Sequence, residues 1–105
     1  MSNKTKFMLA MEHIIPTLNQ YVPVVDRVHG DHHPEFHEVR RLYNAINAKT
    51  ETSKSVQPNL DTEFAHLREV TNNFVIPEDV CESYEAVYAM LKELHDAYLV
   101  SSETQ

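Results

Sequence analysis

The chain has 105 residues, 42% of them hydrophobic, with one Gly and one Cys. That suffices for one domain with its own core, and it excludes an internal disulfide and Gly-rich phosphate loops. Nine Lys and Arg against 16 Asp and Glu give a formal charge of −7, which argues against nucleic acid and anionic membranes, since both are bound through basic patches.

At the start, Lys4 and Lys6 precede the apolar run Phe7–Met11, a faint imitation of a signal peptide. The run ends at Glu12, too early for a signal-peptide core. No apolar stretch reaches the roughly 18 residues a spanning helix needs, and the expected location is the cytoplasm. Phe7, Met11, Ile14, Leu18, Tyr21, Val25 and Val28 then alternate steps of four and three, the signature of one apolar helix stripe. Pro16 and Pro23 interrupt this run, and a bend is expected near Pro23. Gly30-Asp31 ends the helix, and Pro34 suits the first turn of the next one, where a missing N–H costs nothing.

Phe36, Val39, Tyr43 and Ile46 form the second stripe, with Glu35 and Glu38 complementing the positive end of the helix dipole. Thr50 to Asn59 is polar and aperiodic and is expected to be a loop. Leu60, Phe64, Leu67 and Phe74 mark a third helix closed by Asn72-Asn73. Pro77-Glu-Asp opens a fourth, carried by Val80, Tyr84, Val87, Leu91, Leu94 and Tyr98. The expected helices span about 4–29, 34–49, 59–73 and 78–101 of a single domain, residues 1–105. Four stripes with short connections predict an all-α, up-down-up-down four-helix bundle.

Two blocks of residues carry a family resemblance. The first runs from about 8 to 48, with His13-Ile-Ile-Pro-Thr-Leu18 and Val28-His-Gly-Asp-His-His-Pro-Glu35. The second, about 60 to 100, has Leu67-Arg-Glu-Val-Thr-Asn-Asn-Phe74, Pro77-Glu-Asp-Val-Cys81 and the helix Tyr84–Leu94. In order and spacing they resemble the hemerythrin-like domain of the RIC family, di-iron proteins that repair iron–sulfur centres. The resemblance implies a bundle whose helices aim histidines and carboxylates at two irons, a donor set suited to that metal.

Carried over position by position, most of that ligand set is replaced. The early histidine of the family falls at Met8, a thioether. The histidine of Val-His-Gly is retained as His29. The His-x-x-x-Glu pair of helix two falls within Lys49–Gln57, near Ser53 and Gln57, and the histidine opening helix three belongs to the same shortened stretch. The closing His-x-x-x-Glu aligns with Ser101 and Gln105. The family's separate cysteine-bearing N-terminal module is expected to be missing, and Met8, Tyr43 and Tyr98 are the expected fillers of the vacated centre.

The remaining candidates have plain readings. His29, His32, His33 and His37 crowd one helix junction, where four-residue spacing could chelate zinc or nickel on a continuous helix; Gly30 and Pro34 interrupt it, which favours a solvated capping cluster. His13, His66 and His95 sit beside the apolar stripes as polar flanks. Glu63 and Asp61 near His66 read as helix-start charge. Tyr43, Tyr84, Tyr88 and Tyr98 with Met8, Met11 and Met90 read as core rather than a haem or flavin pocket. Cys81 has nothing nearby in sequence to activate it and is expected to be a small buried residue.

The metal candidates are therefore His29, with His33 and His37 behind it. The expected function is a ligand-depleted, hemerythrin-like accessory or binding protein linked to iron–sulfur repair and to iron, nitrosative or oxidative stress, without bound cofactor. The alternative is a metalloprotein with a rearranged histidine site holding di-iron or zinc. An unidentified protein is the expected partner, a homodimer a further option.

Overall fold

The computed structural model of the chain describes residues 5–53 and 58–103. Among them are four α-helices and no strand: α1 Lys6–His29, α2 Glu35–Ser53, α3 Asp61–Val70 and α4 Glu82–Glu103. α1 lies along α4, from His29 beside Cys81 at one end to Phe7 beside Ser101 at the other. α2 packs on α1 and α3. None of these helices is long and apolar enough to cross a membrane.

α1 begins where the Thr5 side chain accepts the Met8 N–H at 3.1 Å, an N-cap that satisfies one orphan donor of the first turn. It buries Phe7, Met11, Ile14, Leu18, Val22 and Val25. The expected stripe is corrected at its far end: Val22 takes the place of Tyr21, and Val28 is 57% exposed. A strict seven-residue repeat lags an α-helix by about 20° per heptad, so after three heptads Val28 has turned about 60° off the core. Pro16 and Pro23 are both exposed, one heptad apart, so their missing N–H groups fall on the solvent side. α1 is one continuous helix across the bend expected there.

α2 runs past the expected end near 49 to Ser53. Thr50 and Thr52 donate their hydroxyls to the carbonyls of Ile46 and Ala48, at 2.8 and 2.7 Å. Polar side chains satisfied along their own helix do not break it, so the expected loop at Thr50 begins later. Residues 54–57 of that loop, like Lys4 of the first expected helix, lie outside the described residues.

α3 is shorter than expected, ending at Val70 rather than 73. Thr71, buried, donates its hydroxyl to Leu67 O at 2.7 Å and accepts the Phe74 N–H at 2.9 Å. Asn72, Asn73 and Phe74 follow at φ of 54°, 63° and 63°. Asn tolerates this left-handed region; Phe does so only at a cost of about 1–2 kcal/mol. Burial of the Phe74 ring, 5.6 Å from that of His95, offsets the cost. α4 opens at Glu82, not 78, and Asp79, in the connection before it, lies 3.0 Å from His33.

The core has an aromatic group toward each end. Phe36, Tyr84 and Tyr88 pack at one, Phe7, Phe64 and Tyr98 at the other, with ring centroids 4.8–6.4 Å apart. Aliphatic side chains such as Leu18, Val39, Ile46, Leu67, Leu91 and Leu94 complete the core. All four helices contribute to one continuous interior.

Thr71→Val keeps the volume and removes both hydroxyl bonds, stranding the Phe74 N–H. The expected loss is about 1–3 kcal/mol of unfolding free energy, read as a lowered urea midpoint with unchanged slope. An unchanged midpoint would show that Thr71 does not stop α3.

Candidate functional site

The densest group of chemistry-bearing side chains lies where the end of α1, the start of α2, the α3–α4 connection and the start of α4 meet. His29 is the last residue of α1. Its carbonyl accepts the N–H groups of His32 and His33 at 3.1 and 2.8 Å, folding the chain back at once. A Cβ on Gly30 would collide with Asp26 O and with the His37 ring. The sole glycine of the chain therefore stands where close packing demands one.

His33 joins the two connections. Its Nδ1 lies 3.0 Å from Glu35 Oε2 and its Nε2 lies 3.0 Å from Asp79 Oδ1. A neutral imidazole carries one N–H and could serve only one carboxylate, so this geometry calls for the doubly protonated ring. Burial works against that charge, but the hydrogen bonds and charges of Glu35 and Asp79 outweigh it and raise the pKa above the ordinary 6.5.

His29 turns the other way. Its Nε2 is 3.1 Å from Cys81 Sγ, across 52 residues of sequence. The rings of His29 and His33 are 6.4 Å apart, and each meets Tyr84 edge-on at 5.5 Å. Cys81 is exposed, which corrects the expectation of a buried residue. The correction has a simple cause: α4 starts one residue later, leaving Cys81 in the connection at the bundle's end rather than on an inward stripe.

The other histidines are dispersed. His37, exposed, pairs through Nδ1 with Asp26 at 2.5 Å, and Asp26 also receives Arg40 at 3.0 Å. His32 and His13 are exposed. His66 approaches Glu38 at 3.6 Å, a carboxylate already held by Arg41, whose hydrogen bond lowers its pKa. His95 is buried between Phe64 and Phe74, with Nε2 at 2.7 Å from Arg68. His29 and His33 are thus neighbours, while His37, His66 and His95 are engaged elsewhere. Among the described residues no three His, Cys, Asp or Glu side chains converge as a metal site.

The expected fillers of the centre are accounted for. Tyr43 is buried and donates to Asn19 Oδ1 at 2.5 Å, and burial, with the charge of Glu51, pushes its phenol up to about 12. Tyr98 donates to Asp61 and accepts the Leu60 N–H, at 2.7 and 2.8 Å. Met8 is partly buried against the core. Tyr84 and Tyr88 share a hydrogen bond of 3.0 Å, and burial first of all raises both phenols. Ser101 is buried, its oxygen 3.0 Å from the Phe7 N–H. Gln57, Gln105 and the side chain of Ser53 lie outside the described residues.

Comparison with protein-family models, curated proteins and solved structures returns no match. The reading of the site rests on its own geometry. Sequence reasoning missed the His29–Cys81 pair, which no local spacing encodes. The usable signal was positional: each residue sits at a helix boundary, so a connection that folds back could bring both to one end.

The His33 bridge has a definite pH signature. Its pKa is raised by folding, so its stabilisation is complete below the unfolded value and fades as pH rises through the folded one. His33→Ala is expected to destabilise most at pH 5.5, with the difference shrinking as pH climbs well above 6.5. Urea midpoints of both proteins across that range check this; a gap that widens with pH would contradict it.

Proposed function

We propose that this chain is a hemerythrin-like, up-down-up-down bundle that has given up its di-iron site and acts as an accessory or binding protein. The process it serves is iron or nitrosative and oxidative stress, alongside proteins that repair iron–sulfur centres. One observation carries the reading. The two sequence blocks on which the family resemblance rests touch each other, His29 to Cys81 at 3.1 Å and His33 to Asp79 at 3.0 Å. Residues held in common for a shared architecture are expected to meet where two of its connections dock.

The interior supports the loss of metal. Most side chains at the centre are aliphatic or aromatic, the buried His95 is held by Arg68, and the phenols are bonded to protein groups. Ser101, at one aligned ligand position, uses its oxygen on the start of α1. A di-iron centre needs several inward carboxylates and imidazoles, and His29 faces a thiol at the bundle's end instead. The role left to such a bundle is recognition, with the chemistry supplied by a partner protein.

The test has two arms. Protein purified from iron-rich medium is expected to lack stoichiometric iron and any oxo-bridge absorption. Cells deprived of the chain are expected to recover iron–sulfur enzyme activity more slowly after nitric oxide exposure. Stoichiometric iron whose absorption disappears in His29→Ala would replace this reading with a rearranged metal site; unchanged recovery would remove the link to repair.

A further inference from the structure

We propose that the chain pairs with a second copy of itself across the face shared by α1 and α4, the two α4 helices lying antiparallel about a two-fold axis level with Leu94. The pairing stands whether or not the accessory role proposed above holds. A groove follows the line where α1 and α4 meet. Two adjoining hollows, of about 470 and 580 Å³, share Lys6, Ala10 and Glu93. Ala89 and Ala97 line the first, and side chains this small let a second helix come close.

The outward face of α4 supplies the matching chemistry. Ala89, Lys92, Asp96 and Leu99 are exposed at steps of three, four and three, which sets them in one row along the helix. In chain order the row is small, cationic, anionic, large. An antiparallel second copy centred on Leu94 presents the same row reversed. Lys92 of each copy then faces Asp96 of the other, and Leu99 of each closes over Ala89 of the other. A two-fold axis demands this self-complementarity, because one patch must serve as both partners.

Lys92 and Asp96 already pair within one helix at 3.0 Å, with side chains 58% and 57% exposed. Each keeps a side open to a second partner, so two copies close a square of alternating charges. Such a square fixes register and orientation more than it adds affinity. The affinity comes from apolar surface: Leu9, Leu99 and Val100 are exposed on or beside the groove and lose water on pairing. The row spans only about 15 Å along α4, and the expected dimer is therefore weak, forming at micromolar concentration or above. A formal charge of −7 on each copy opposes their approach, a long-range repulsion that salt of about 0.15 M screens beyond roughly 8 Å.

Sedimentation equilibrium in about 0.15 M salt, over concentrations from about 10 μM to 1 mM, measures the pairing. The native chain is expected to pass from monomer to dimer across that range. Lys92→Asp sets acid against acid twice across the axis and is expected to weaken the dimer about tenfold or more. Combining Lys92→Asp with Asp96→Lys exchanges the two charges and should return the affinity to within about threefold of native. Ala89→Glu, which fills the space under Leu99, should weaken the dimer by a route independent of the charge square. All three positions are exposed, so the fold of each variant is spared. A native chain that stays monomeric throughout, or that forms species larger than a dimer, would overturn the two-fold pairing. A dimer indifferent to Lys92→Asp or to Ala89→Glu, or one that the charge exchange fails to rescue, would overturn the assigned face and register.

Discussion

A single imidazole with a carboxylate on each nitrogen joins the two connections at the end of the bundle that carries the candidate site. His33 belongs to the α1–α2 turn, Glu35 to the first turn of α2 and Asp79 to the α3–α4 connection. Asp79 lies three residues before α4 begins at Glu82, and the start of α4 decides where Cys81 and Tyr84 stand. The His29–Cys81 pair and the ring contacts to Tyr84 follow from that placement. The imidazole is 13% exposed, but Asp79 is 71% exposed, so solvent screens the Asp79 half of the bridge as it does a surface pair and the Glu35 half less.

The same economy recurs across the protein. A chain with an excess of acid distributes its carboxylates among cations: Asp26 between His37 and Arg40, Glu38 to Arg41, Glu63 to Lys49, Asp96 to Lys92. Inside, several hydroxyls form short hydrogen-bonded sets. Tyr98 links the start of α3 to α4 by accepting from Leu60 and donating to Asp61. Thr71 closes α3. Buried hydroxyls engaged in this way specify one arrangement of helices, which apolar packing alone tolerates less strictly.

Much of the helical fold was legible in the residues, because apolar periodicity reports directly on burial. Phe36, Val39, Tyr43 and Ile46, and likewise Leu60, Phe64, Leu67 and Phe74, are buried as their spacing implied. The errors sit where a local rule met a tertiary one. Val28 was read by a seven-residue rhythm that a straight helix does not keep. Thr50 and Thr52 looked like loop residues, yet their hydroxyls return to the helix. Pro77-Glu-Asp looked like a helix start, yet Asp79 lies in the connection, beside a distant histidine. The candidate site was less legible still. The histidine crowd at residues 29–37 was visible, but which rings face inward depends on partners about 50 residues away, at Asp79 and Cys81.

The site thus depends on His33 being charged in the folded protein. Nitrogen NMR of the histidine side chains measures this directly. At pH 6.5 both ring nitrogens of His33 are expected to carry protons, each correlated to a slowly exchanging hydrogen. A single-proton tautomer at that pH, with one nitrogen bare, would contradict the bridge.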